Sequence, residues 1–169
     1  MWVEEIRKLI PEYAKDISLN LDSAINRSSL DQSFASNIAL AAAVATGNSG
    51  IVSIIKSSIN DEVETNAVFA ASSIMAQNNV WYPYIEMVSD KDLKGLPALL
   101  RMNVISNHGG STKIKFESYS LAASIIGKCH FCVKAHYETL KNEGLTTEQL
   151  RDIGRISATI NAISKIIVE

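Results

Sequence analysis

The chain contains two cysteines, Cys129 and Cys132, separated by two residues. A loop that short does little to staple a fold, so the pair reads as chemistry or metal binding. Gly127-Lys128 reads as a break between two helices, which sets Cys129 in the first turn of the second one. A thiolate there meets the positive end of the helix dipole and unpaired N–H donors, and both favour the charged form. A spacing of three places Cys132 on the same helix face, near enough for a disulfide to close after a small backbone adjustment. The expected cycle runs between dithiol and disulfide.

His136 follows Cys132 by four residues. Helical side chains lean toward the N-terminus, so the imidazole is expected to point back at the Cys132 sulfur as a general base. Removing that proton matters because the thiolate is what attacks a peroxide O–O bond or a disulfide. Cys132 is therefore the preferred nucleophile and Cys129 its resolving partner, although dipole reasoning alone favours Cys129. Glu117 lies before the break, where spacing does not fix its position; folded back beside His136 it would orient the imidazole and relay protons. A structural zinc site is the competing reading, with Cys129, Cys132 and His136 completed by His130 or His108. His130 by itself reads as a solvent-facing helix residue.

The elements that must hold these residues are helical. Pro11, Pro83 and Pro97 are the only prolines, and Ala, Leu, Ile, Lys and Glu recur at three- and four-residue spacing without alternating strand patterns. The expected fold is all-α, a single domain over residues 1–169 with about seven to nine helices. Two capping patterns, Ser29-Leu30-Asp31-Gln32 and Thr146-Thr147-Glu148-Gln149, predict helix starts just after Ser29 and Thr146. Gly144 marks a helix end in a left-handed residue, giving an antiparallel pair at the C-terminus. The stretch from Asn78 to Pro97 lacks a clean period and is expected to be a partly irregular connection, and Arg101 to Lys115 a loop. Phe34-Ala35-Ser36 parallels Phe116-Glu117-Ser118 at an offset of 82, which suggests pseudo-repeated halves over 1–85 and 98–169.

Composition narrows the function classes. Sixteen Lys and Arg stand against 18 Asp and Glu with no long like-charge run, which argues against nucleic acid as a partner. The longest apolar run, Ile38 to Ala45, is far short of the roughly 20 residues a bilayer span needs. Met1-Trp2-Val3-Glu4-Glu5 has no secretion-signal character, so a cytoplasmic location is expected.

Glu117, Cys129, Cys132 and His136 together resemble the signature of the alkyl hydroperoxide reductase D (AhpD) family, within the wider group of carboxymuconolactone decarboxylase-like helical proteins. Pro11 to Asp16, Asn78 to Tyr82 and Leu100 to Ile105 are also similar to family segments, so the resemblance covers essentially the whole chain. It implies an all-helical homotrimer that binds no cofactor and no metal. It also implies weak reduction of organic hydroperoxides and regeneration of a peroxiredoxin of the AhpC type, with electrons from dihydrolipoamide on a lipoyl-bearing adaptor. Under the resemblance Cys132 is oxidised to a sulfenic acid, Cys129 is proton donor and disulfide partner, and Glu117 and His136 form the proton relay. The best-known members place a second His directly before the second Cys, where this chain has Phe131, with His130 one residue earlier. His108 stands where they carry Pro. Two further readings are a cofactor-free decarboxylase of ring-opened aromatic acids, which does not need the Cys pair, and a zinc-stabilised helical module without enzymatic activity.

Overall fold

In a computed structural model, which describes residues 1–168, nine α-helices follow one another with no strand among the described residues. They are α1 (Trp2–Leu9), α2 (Lys15–Asn26), α3 (Gln32–Thr46), α4 (Ser49–Ser57), α5 (Glu62–Val88), α6 (Lys91–Gly95), α7 (Lys113–Gly127), α8 (His130–Asn142) and α9 (Thr147–Ile166). The fold is all-α, as composition and spacing predict.

The alanine-rich sequence of α3 explains its place. With small side chains on every face it can be surrounded, and Ile38 through Ala43 are fully buried. Helices α4, α5, α7 and α9 pack around it. A buried polar chain locks three of these helices together: Asn37 of α3 donates to the Tyr119 hydroxyl of α7, and that hydroxyl donates to Glu64 of α5 at 2.5 Å. Ser111 and Lys115 donate to the other Glu64 oxygen. Burial, reinforced by the bond to Glu64, pushes the Tyr119 phenol well above its ordinary range, so it stays a neutral donor at all working pH values.

Thr146 caps α9 in a reciprocal capping box with Gln149, and Gly144 takes a left-handed conformation (φ 100°) just after α8, both as predicted. Three expectations need correction. Helix α3 starts later than Ser29 implies: Asp31 is its cap, and the Ser29 N–H and hydroxyl both donate to Asp152 of α9. Helix α5 does not give way at Asn78 but runs on to Val88 with Pro83 inside it. The missing proline N–H costs one backbone bond, while ring contacts of Trp81 with Tyr84 and of Tyr82 with Phe131 favour the continued helix. Finally, α8 and α9 touch only lightly, because the apolar face of α9 is spent on α3, α2 and α7. The expected loop after Arg101 holds two short 3-10 turns, Asn103–Ile105 and His108–Gly110, before α7 begins at Lys113.

Asp152 is fully buried and accepts from Ser29, Arg151 and Arg155. Burial alone would raise its carboxyl, but the two Ser29 bonds and the two guanidinium groups outweigh it and hold the group well below the usual carboxylate range. A depressed folded-state value stabilises the fold above the unfolded value and loses that contribution as pH falls through it. Asp152→Asn should therefore cost on the order of 3 kcal/mol at neutral pH. The deficit, measured by urea unfolding, should shrink below about pH 4, where the carboxyl of the unfolded wild-type chain begins to take up the proton that the folded one still refuses.

Candidate active site

Helix α7 ends at Gly127, Lys128 turns the chain in a left-handed conformation (φ 55°), and Cys129 becomes the N-cap of α8. Gly127 is needed there because an added Cβ would collide with the Asn79 side chain of α5. With glycine there, Asn79 donates to the Ala123 carbonyl and ties the end of α7 to α5. The Cys129 sulfur takes the role that Asp, Asn and Thr oxygens play at other helices of this fold, accepting the Cys132 N–H at 3.2 Å. Cys129 and Cys132 are joined as a disulfide with Cα atoms 5.3 Å apart, and both residues are buried.

Glu117, two residues before Tyr119 on α7, is carried to α8, where its Oε2 lies 2.6 Å from Nδ1 of His136. Spacing could not place this residue; the fold brings it to the imidazole. The expected contact of His136 with Cys132 is absent in this disulfide state. The imidazole is held by the Glu117 carboxylate, and its Nε2 faces the Met75 sulfur at 3.1 Å. Cys132, tied to Cys129, instead sits with its sulfur 3.8 Å from the Asn78 carbonyl oxygen. A charged, short hydrogen bond from a neighbouring helix outcompetes a weak contact with a bonded sulfur.

Met75 and Asn78 are neighbours of the site that sequence reasoning missed. Both come from α5, more than 50 residues away, and nothing in their spacing to the cysteines announces them. His130 is exposed on the first turn of α8, and His108 lies against the Phe116 ring instead of the cysteines. Among the described residues no group of three or more His, Cys, Asp or Glu side chains is placed to hold a metal ion, so the zinc reading finds no ligand set. No described helix is long and apolar enough to cross a membrane.

An all-helical chain with a buried Cys-x-x-Cys disulfide beside a Glu–His pair is a thiol–disulfide site on a carboxymuconolactone decarboxylase-like scaffold, and the Carboxymuconolactone decarboxylase family pattern matches residues 92–167. Curated relatives extend the likeness to the whole chain. A protein of Maricaulis maris named alkyl hydroperoxide reductase AhpD is 39% identical over 171 residues, covering 99% of this chain and 98% of that protein. Proteins of the same name are 37% identical in Rhodospirillum centenum, over 99% of this chain and 91% of theirs, and 38% identical in Coxiella burnetii, over 93% and 92%. The chain belongs to the AhpD family.

Proposed function

We propose that the protein is a thiol-dependent alkyl hydroperoxide reductase. The observation that carries this reading is the closed Cys129–Cys132 disulfide next to a Glu117–His136 pair at 2.6 Å. In the dithiol form His136 turns from Met75 toward Cys132 and takes its proton, with Glu117 orienting the imidazole. The Cys132 thiolate attacks the peroxide O–O bond, giving a sulfenic acid and an alkoxide that leaves with a proton as the alcohol. The Cys129 thiol then attacks the sulfenic sulfur, water departs and the disulfide forms. Two electrons from an external dithiol reopen it. Electrons from dihydrolipoamide on an adaptor protein, delivery to a peroxiredoxin of the AhpC type, a cytoplasmic location and assembly as a homotrimer complete the proposal, on the strength of the family relationship. The exposed Val80, Tyr84 and Met87 on the outer face of α5 offer an apolar surface for such assembly.

Stoichiometric alkyl hydroperoxide added to the reduced protein should remove two titratable thiols per chain without forming cross-linked chains, as mass spectrometry and thiol titration report. Intermolecular disulfides alone, or thiols that resist the peroxide, would defeat the reading.

A further inference from the structure

The contact between His136 and Met75 has no part in the peroxide step. In the disulfide state Nδ1 of His136 lies 2.6 Å from Glu117 Oε2 and Nε2 lies 3.1 Å from the Met75 sulfur. A carboxylate oxygen only accepts, so Nδ1 carries a proton and donates it. A thioether sulfur has no proton to give. If Nε2 were bare, its lone pair would face those of the sulfur at a separation where they repel. The contact becomes attractive when Nε2 also carries a proton and the sulfur accepts it. Assigned from its partners, the ring is an imidazolium held at both nitrogens.

The surroundings suit a thioether to this place. Met75 is only 1% exposed, so bulk water does not compete for its sulfur, and the His136 and Glu117 side chains are themselves largely buried. Helix α5 sets Met75 one turn before Asn78, whose carbonyl oxygen lies 3.8 Å from the Cys132 sulfur. One face of α5 thus offers an acceptor to the histidine and another to the cysteine. Methionine is long, unbranched and polarizable enough to reach the ring. Leucine would fill much the same volume without a lone pair.

Resting on the redox reading above, we propose that Met75 is a positioning residue for the return half of the cycle. In the disulfide state its sulfur accepts the Nε2–H of His136 and keeps there the proton that Cys132 gave up on oxidation. The alkoxide of the oxidising step then draws its proton from solvent. When an external dithiol opens the disulfide, its two sulfurs are oxidised to a disulfide of their own and two electrons pass to the protein. Cys129 and Cys132 are each released as a thiolate. With their bond gone the ring turns from Met75 to Cys132, and the Nε2–H proton passes to that sulfur, while Cys129 takes a proton from solvent. The dithiol gives its two protons to solvent, so the one proton that the alkoxide drew is returned. His136 ends as the neutral base that the next peroxide needs.

The test reads the His136 ring by NMR in protein carrying isotopically labelled histidine, its signals assigned by their loss in His136→Ala. In the oxidised wild type at neutral pH both ring nitrogens should carry hydrogen, and on reduction the Nε2–H signal should disappear. Met75→Leu keeps the packing and removes the acceptor, so the Nε2–H signal of the oxidised protein should weaken. Dithiothreitol should then open the disulfide about three- to tenfold more slowly, the weight of one hydrogen bond to a weak acceptor. Met75→Gln is of similar length, restores an acceptor oxygen and should recover both. A packing role gives the reverse order, with leucine close to the wild type and glutamine worse, and that order overturns the proposal. So does an oxidised wild type whose Nε2 is bare. Should Met75→Gln fail to fold, Met75→Leu decides alone, and an undiminished Nε2–H signal or an unslowed reduction in it overturns the proposal. The redox reading is checked separately with peroxide and the reduced wild type; thiols that resist the peroxide end that reading and the cycle built on it, whatever the spectrum shows at Nε2.

Discussion

Replacing Cys132 with serine should reduce alkyl hydroperoxide consumption to the rate seen without protein, while Cys129→Ser should permit one oxidation and then stall. The difference follows from the division of labour proposed for the pair. Cys132 is the sulfur one helical turn from His136, so without it no activated thiolate meets the peroxide. Without Cys129 the sulfenic acid has no partner inside the chain, and it should accumulate to about one equivalent and react with a dimedone-type trap. Serine at 129 also keeps an oxygen that can accept the Cys132 N–H, so the start of α8 is preserved and the loss is chemical rather than structural. If the trap labels Cys132→Ser and leaves Cys129→Ser untouched, the roles are reversed, and the N-terminal dipole at Cys129 outweighs the imidazole.

His136→Ala is the second large effect expected. Loss of a positioned base costs about 100- to 10,000-fold, and the deficit should be greatest near neutral pH. As pH rises past the ordinary thiol range the sulfur ionises unaided, and the mutant should approach the wild type. A pH-independent deficit would show that His136 supports the fold, not the proton transfer. Glu117→Gln should reproduce the same pH character with a smaller amplitude, because the amide still reaches Nδ1 at the 2.6 Å position but no longer offers a charged acceptor.

Local signals in the sequence were the legible part of this molecule. Thr146 with Gln149, Gly144, and the Gly127-Lys128 break each rest on a few neighbouring residues whose backbone needs decide the outcome, and each stands where those needs put it. The Ser29 pattern misled for a tertiary reason: Asp152, 123 residues later, captures the serine that would have capped, and Asp31 does the work instead. Around Asn78 to Val88 the proline and the cluster of aromatics mimic a loop, whereas Trp81 and Tyr84 pair along the helix itself and the Tyr82 ring finds Phe131 only once α8 is in place. The site divides the same way. Its cysteines and histidine are visible as a spacing, but the direction of the imidazole is not, because Glu117 and Met75 reach it from two other helices.

The corner between α7 and α8 has a twin between α3 and α4. There too a left-handed residue, Gly47, ends one helix, and the next residue, Asn48, caps the following one by accepting the Ile51 N–H at 3.0 Å. Asparagine supplies at that corner the acceptor that sulfur supplies at Cys129, and its amide also donates to the Ser164 and Ile167 carbonyls. On the proposed reading it is the redox cycle, and not the cap, that calls for cysteine at 129. A lineage released from that cycle could trade it for serine, which keeps an acceptor in the buried corner, and the corner at Asn48 shows what such a silent site looks like.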